Sequence, residues 1–245
     1  MSKKKSLVIT IPVLNEAKTL KKQINSLLSF ISVNLKDHYE VSVVIANNGS
    51  DDSTEVIARE LANKNSCIHL ISTPKRGVGL ALKKSWATYQ GDFLGYMDLD
   101  FATDLSHIQE SLLILENNLA DIVNGSRLLK NSQVLKRSLI RSILSKSFNK
   151  IISFSFDSKF TDGMCGFKFY SKKNLDSFLT KTYFQSDDWF FATEFLVLAE
   201  IQHLRILEIP IQWTDTKASK VKIFSLSIKY LKEILHLRLR LKFLK

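Results

Sequence analysis

Four short apolar runs, each closed by a polar turn and followed by residues of helical period, constrain this chain more than any other feature. The first run is Leu7–Val13, after which Asn15 and Glu16 open a helix to about Leu35 with Leu20, Ile24, Leu27, Leu28 and Ile31 at helical spacing. The second is Glu40–Ala46, then the polar turn 47–53 and a helix to about Ala62. The third is Cys67–Ser72, then Arg76-Gly-Val-Gly79 and a helix to about Tyr89. The fourth, 92–97, ends in Asp98-Leu99-Asp100. Strands alternating with helices predict an α/β fold with a doubly wound, mostly parallel sheet. Ligands of such sheets sit outside the carboxyl ends of the strands. The polar signatures Pro12–Glu16, Asn47–Asp52, Pro74–Gly79 and Asp98–Thr103 all fall there.

The second half is read as a helix from Asp104 to about Asn118, a strand Asp121–Asn124 ending in Gly125-Ser126-Arg127, and a basic helix Val134–Ile152. A turn and strand over Asp162–Lys168, a helix Ser186–Ile201 and a strand Leu204–Trp213 follow. With 245 residues, 45% of them hydrophobic, and neither repeats nor a flexible linker, one large domain over 1–218 is expected. Residues 219–245 read as a C-terminal basic amphipathic helix: Val221–Lys245 carries seven Lys/Arg against the single acid Glu233. No run reaches the ~18 apolar residues of a spanning helix. Leu7–Ile11 is too short for a signal-peptide core. The tail is therefore expected to attach the protein peripherally to the cytoplasmic face of a membrane. The net charge of +11 fits that acidic partner, a membrane surface and not a nucleic acid. Cys67 and Cys165 make no disulfide framework, which points to a reducing compartment. Asn48-Gly-Ser50 and Asn124-Gly-Ser126 are read as chance matches to the glycosylation pattern.

Asp98 and Asp100, two residues apart at a strand end, can converge on one cation. Their hard oxygens suit Mg²⁺ or Mn²⁺, which keep positions open for substrate phosphate oxygens. Alone this is a common acidic pair; its company makes it specific. In order along the chain stand Ile11-Pro-Val-Leu-Asn-Glu16, Asn47-Asn-Gly-Ser-Asp-Asp-Ser-Thr54, Arg76-Gly-Val-Gly-Leu-Ala81, Met97-Asp-Leu-Asp100, Gly125-Ser-Arg127 and Asp162-Gly-Met-Cys-Gly-Phe-Lys168. This ordered set, covering about residues 6–215, resembles the family 2 glycosyltransferases of GT-A fold. Trp189-Phe-Phe-Ala-Thr-Glu-Phe-Leu196 and Glu208-Ile-Pro-Ile-Gln-Trp213 resemble the branch with polyprenyl- and dolichyl-phosphate glucosyl- and mannosyltransferases.

The resemblance implies roles. Pro12, Leu14 and Glu16 frame the nucleotide, and Asn48 and Asp52 lie in its second loop. Asn47 and Asn48 replace the two acids usual in the family, keeping an amide carbonyl as acceptor but losing charge. Arg76, Gly77 and Gly79 belong to the nucleotide side, Asp98 and Asp100 hold the metal, and Arg127 joins them as a catalytic residue. Arg137 or Arg141, with Asp162 and Lys168, would face the acceptor phosphate.

The expected chemistry is transfer of a hexose, glucose before mannose, from UDP-glucose or GDP-mannose to a polyprenyl phosphate, dolichyl or undecaprenyl. Metal and guanidinium would meet the charge of the departing diphosphate. A hydroxyl acceptor would need a base, whereas a lipid phosphate is already ionised and needs cations. None of the five His lies in a motif, which favours the phosphate, and Arg suits bidentate phosphate recognition. A transferase acting on a hydroxyl in surface polysaccharide, and a catalytically weak membrane-binding module, are the alternatives. A nucleotidyltransferase would carry its Gly-rich loop where Pro12-Val-Leu-Asn-Glu16 stands. Blander readings accompany several residues. Gly77 and Gly79 would serve a tight helix start, Asp162 would brace a turn, and Cys165, Trp189, Phe190 and Phe191 would pack in the core. Glu194 would partner a buried Arg.

Overall fold

The computed structural model describes residues 3–215 and 223–243. Its first half follows the predicted alternation: β1 (Lys5–Val13), α1 (Leu20–Asn34), β2 (Tyr39–Asn47), α2 (Thr54–Lys64), β3 (Ile68–Ser72), α3 (Val78–Thr88) and β4 (Phe93–Met97). Then come α4 (His107–Glu116), β5 (Ile122–Ser126), β6 (Gln133–Leu135), α5 (Leu139–Phe156), β7 (Phe167–Ser171) and α6 (Lys172–Lys181). The chain closes with α7 (Phe191–Ile201), β8 (Ile206–Pro210), β9 (Gln212–Thr214) and α8 (Ile223–Phe243).

Seven strands form the main sheet in the order β3-β2-β1-β4-β7-β5-β8. The expected parallel sheet is interrupted once, because β7 runs antiparallel to both β4 and β5. That reversal puts the start of β7 beside the end of β4, with Phe167 opposite Met97. Strand alternation sorts the core into two layers. Leu7, Ile9 and Ile11 pack with Leu20, Ile24 and Leu27 of α1, Leu61 of α2 and Leu112 of α4. On the other face Val8, Val44 and Tyr96 pack with Trp86 of α3, Phe195 of α7 and Tyr230 of α8.

Several boundaries differ from the sequence expectation. The first helix opens at Leu20, not Asn15, because Asn15 takes a left-handed conformation (φ 55°) and Glu16 turns the chain by accepting the Thr19 and Leu20 amides. Val134 lies in β6, which pairs with β9 in a separate two-stranded sheet, so α5 starts only at Leu139, after Ser138 caps it by accepting the Arg141 amide. The helix expected from Ser186 starts at Phe191, since the Ser186 and Gln185 amides are taken by the Glu194 carboxylate. Helix α6 was not foreseen. The division between 1–218 and 219–245 falls within 216–222, outside the described residues. Helix α8 packs on the domain through the Tyr230 ring, against Phe148 and Phe190 at 5.7 and 5.6 Å between centroids.

Candidate active site

Asp98 and Asp100 follow the last residue of β4. The Asp98 amide donates to the Gly166 carbonyl at 3.0 Å, and its carboxylate lies against Gly166 so closely that a Cβ there would stand 1.9 Å from Oδ2. The Tyr96 hydroxyl donates to Asp98 Oδ1 at 3.2 Å. Burial, and then the neighbouring Asp100 charge, push the Asp98 pKa up to about 7, against the opposing pull of Tyr96, Arg127 and Lys168. Asp100 is more exposed; its Oδ1 accepts the Ala102 amide, and its carbonyl accepts from Gln23 on α1. Among the described residues no cluster of three or more His, Cys, Asp or Glu forms a cation cage. Two carboxylates, one with its pKa raised by burial and by the charge of the other, do fit an Mg²⁺ or Mn²⁺ ion that would take its other ligands from a diphosphate.

Arg127 follows β5, and β7 brings Asp162 within reach through the loop before it. Arg127 Nε donates to Asp162 Oδ2 at 2.7 Å and Nη2 to Oδ1 at 2.8 Å, while the Arg127 amide also reaches Oδ2. The guanidinium lies 4.8 Å from the Trp213 ring centroid. Burial works to raise the Asp162 pKa, but the Arg127 charge and hydrogen bonds overcome it and hold the carboxyl below the usual carboxylate range. Glu208 of β8 fastens the same loop by accepting the Thr161 and Asp162 amides at 2.7 and 3.0 Å. Asp162, expected at the acceptor phosphate, is fully buried with both oxygens on Arg127 and so braces this loop.

Lys168, expected at the same phosphate, also has internal partners. It is fully buried in β7, and its Nζ donates to the carbonyls of Gly163 and Cys165, closing the loop that carries Asp162 and Gly166. Burial depresses its pKa. Cys165 packs as the apolar residue expected, its thiol pushed up to about 12 by burial.

The two candidate phosphate arginines differ. Arg141 Nη1 is held by both oxygens of Asp215, at 3.0 and 2.9 Å. Arg137 is half-buried and makes no ion pair among the described residues, only a 3.4 Å donation to the Arg141 carbonyl. Burial and the nearby Arg127 charge lower its pKa, outweighing the pull of Asp162 and Asp215. Arg137 is the guanidinium with charge to spare.

On the nucleotide side the loops after β1, β2 and β3 form one bonded rim. Asn15 and Asp51 exchange two hydrogen bonds, of 2.6 and 3.0 Å, the Glu16 amide donates to Thr54 Oγ1, and the Ala17 amide to Asp52. Asp52 also caps Thr54, and Arg76 pairs with Asp51 at 2.7 Å. Pro12 is buried in β1 opposite Ala46, while Leu14 and Glu16 are half-exposed beyond the strand. Asn48 is buried, and its Oδ1 accepts the Gly77 amide. An N–H can only donate, so this contact orients the amide. The carbonyl expected to meet the base is already used, and Nδ2, which bonds no described residue, is the atom left over. Asn47 is spent internally: Nδ2 donates to Glu55 at 2.9 Å and Oδ1 accepts the Ser50 amide.

Gly77 and Gly79, expected on the nucleotide side, are packed closely by the segment before and at the start of α7. A Cβ at Gly77 would lie 2.5 Å from the Asp187 carbonyl oxygen, and one at Gly79 would lie 2.6 Å from the Phe191 Cβ. Asp187 also accepts the Leu80 amide of α3 at 3.0 Å, so the 184–190 segment covers this helix start. The tight-packing reading of these glycines is the one the geometry bears out. Glu194 is the buried member of its pair: the half-buried Arg240 of α8 donates to it at 2.8 Å. Phe190 and Phe191 are core as read, but Trp189 is 42% exposed. Tyr96, Gly166, Glu208, Trp213 and Asp215 were not singled out. Glu208 and Trp213 stood within a quoted motif, but only the fold shows what they touch.

An acid pair at the end of a central strand, flanked by arginines and by a rim of nucleotide-side loops, marks the GT-A class of sugar-nucleotide transferases. The sequence model described as "Glycosyl transferase family 2" matches residues 8–179, and the chain belongs to that family of glycosyltransferases. It is 31% identical over 222 residues to glycosyltransferase AglD of Haloferax volcanii, covering 87% of this chain and 34% of that protein. It is 29% identical over 244 residues to the dolichyl-phosphate β-glucosyltransferase of Dictyostelium discoideum, covering 96% and 74%, and 27% identical over 248 residues to the human enzyme of that name, covering 96% and 76%. The chain thus spans about a third of the archaeal relative and about three quarters of the other two. Among solved structures it resembles glucosyl-3-phosphoglycerate synthase from Mycobacterium tuberculosis in complex with Mn²⁺, UDP and phosphoglyceric acid (TM-score 0.67, 14% identity, 96% of this chain and 78% of that one). It also resembles the mannosyltransferase PcManGT from Pyrobaculum calidifontis in complex with GDP-Man and Mn²⁺ (TM-score 0.57, 16% identity, 96% and 69%). At these identities the likeness is one of fold.

Proposed function

We propose that this glycosyltransferase moves glucose, or with lower preference mannose, from UDP-glucose or GDP-mannose to a polyprenyl phosphate, with inversion at the anomeric carbon. The observation that carries the phosphate acceptor is Arg137: a half-buried guanidinium with no carboxylate partner among the described residues, beside a second guanidinium already neutralised by Asp162. Such a group is stabilised by an anion arriving from solution. The names of the dolichyl-phosphate β-glucosyltransferase relatives support the same acceptor.

The acceptor phosphate oxygen attacks the anomeric carbon. The carbon–oxygen bond to the diphosphate breaks, and its electron pair leaves on the nucleotide. A phosphate nucleophile is ionised near neutral pH, so no general base is required. Asp98 and Asp100 would hold Mg²⁺ or Mn²⁺, which neutralises charge on the departing diphosphate. Arg127, its charge balanced by Asp162 and its plane set against Trp213, would offer a fixed N–H donor at the same strand ends. Glu16, Asp52 and the Asn48 amide would line the nucleotide side, with Asn48 Nδ2 donating to a carbonyl oxygen of the base. Helix α8, apolar and basic, would keep the protein peripheral at the cytoplasmic face of a membrane; no described helix is long and apolar enough to cross one.

The test is transfer of labelled sugar from UDP-glucose and from GDP-mannose to a short polyprenyl phosphate, with and without Mg²⁺ or Mn²⁺. Metal-dependent glycolipid formation is expected, and it is lost in Asp98→Ala and Asp100→Ala. Transfer to a saccharide hydroxyl but not to the lipid phosphate would overturn the acceptor; unchanged activity in both variants would overturn the metal site.

A further inference from the structure

Helix α5 carries an apolar face that packs against nothing described. Ser145, Phe148, Asn149 and Ile152 face the core, and on the opposite side Ile140, Ile143 and Phe154 are 67%, 63% and 86% exposed. These three share one helical face with the partly exposed Ile151. Lys146 and Lys150 stand exposed beside it, and no Asp or Glu occurs between Leu139 and Phe156. A soluble helix seldom leaves large side chains this exposed in a contiguous row. Next to it, α8 turns Ile228, Leu231, Leu235 and Leu239 outward while Tyr230, Ile234 and Leu237 pack inward. The two helices touch through Phe148 and Tyr230.

We infer that the outward face of α5 is a second membrane-docking element, which inserts into an anionic lipid surface alongside α8. Three observations favour a bilayer over other occupants. The face is a convex helix ridge, not a groove that would enclose one lipid chain or peptide. Its flanking charges within the helix, Lys146 and Lys150, are positive, against one exposed acid, Asp157, at the C-cap, and this excess matches anionic headgroups. The apolar residues also bracket Arg137: Leu135 is 58% and Leu139 82% exposed, so this guanidinium sits where a headgroup phosphate would lie when its neighbours enter the acyl boundary. The role of Arg137 in this picture rests on the phosphate-acceptor reading above; the docking of α5 does not.

The experiment uses the full chain and vesicles of phosphatidylcholine with or without phosphatidylglycerol, with neither sugar donor nor polyprenyl phosphate present. Failure of docking is thereby separated from failure of the transfer reading. Wild-type protein is expected to float with the anionic vesicles. The Ile140→Ser/Ile143→Ser/Phe154→Ser variant is expected to bind at least tenfold more weakly, while keeping its thermal midpoint and its activity on a short, detergent-dispersed acceptor. In Phe154→Trp, whose new indole is surface-placed and leaves the core untouched, emission should shift to the blue on vesicle addition and be quenched by brominated lipid. Wild-type flotation of the triple variant, or an indole that stays fully water-exposed on bound vesicles, would overturn the inference. Concentration-dependent self-association abolished by the same triple variant, without vesicle binding, would overturn it in favour of a protein interface.

Discussion

The Arg127 guanidinium grips the Asp162 carboxylate through two parallel hydrogen bonds, 2.7 and 2.8 Å long, across a separation of 35 residues in sequence. The pair ties the end of β5 to the loop before β7, and that loop supplies the Gly166 surface on which Asp98 rests. Site geometry and stability are therefore coupled here.

Replacing Asp162 by Asn leaves a nearly buried guanidinium without its counter-charge. Breaking such a pair costs about 3–5 kcal/mol, read as a lower urea midpoint. The pH dependence has a definite sign. Asp162 has a folded-state pKa below its unfolded value, so its contribution is present above the unfolded value, ~3.9, and is lost as pH falls through the folded one. Acid titration of stability should be shallower in Asp162→Asn than in the wild type.

Gly166→Ala places a methyl group where the Asp98 carboxylate lies. The carboxylate must move, and Mn²⁺ affinity measured calorimetrically with UDP should fall roughly 10–100-fold, the scale for disturbed ligand positioning. The folded state survives, because the clash is with a side chain at the mouth of the site. Unchanged Mn²⁺ affinity would show that Asp98 is not a ligand.

Arg137 and Arg141 should separate in kinetics. Arg137→Ala removes a guanidinium free to meet an anion, and KM for the acceptor phosphate should rise on the order of 10–100-fold, as for a lost charge-assisted hydrogen bond. Arg141→Ala breaks the Asp215 pair, which is only partly buried, and should cost about 1 kcal/mol of stability with a smaller change in KM.

Asn47 and Asn48 respond differently to restored acids. Asn47→Asp sets a second carboxylate 2.9 Å from Glu55 and should lower the thermal midpoint; Glu55→Gln should recover it, a coupling that a double-mutant cycle measures. Asn48→Asp keeps the oxygen that accepts the Gly77 amide and exchanges only the Nδ2 donor for an acceptor. Stability should hold, while relative affinities across a panel of UDP, GDP and CDP change.

Most of the parallel sheet was legible because its signals are local. Buried strands such as Leu7–Val13 read as apolar runs, and polar turns mark their ends. The position of the 98/100 acid pair at a strand end was legible for the same reason. The partners of Lys168 and Asp162 were not legible, since a charged residue in a motif looks the same whether it faces a ligand or a buried partner. The same holds for the packing of Gly77 and Gly79: a glycine announces close approach, not what approaches. The exposed ridge of α5 was hidden in a segment read only for its basic residues, because burial of one face depends on which helices pack beside it.

The sequence by itself determined the strand–helix alternation, the edge of the sheet that bears the site and the residue types available there, because short-range patterning and turn chemistry act within a few residues. Tertiary structure decided which charges are spent and which remain. The antiparallel insertion of β7 brings Asp162, Gly166 and Lys168 against β4 and β5 and consumes Asp162 on Arg127, while Arg137 has no ion-pair partner among the described residues. Those pairings join residues tens of positions apart, and their strength depends on burial, which no local pattern encodes.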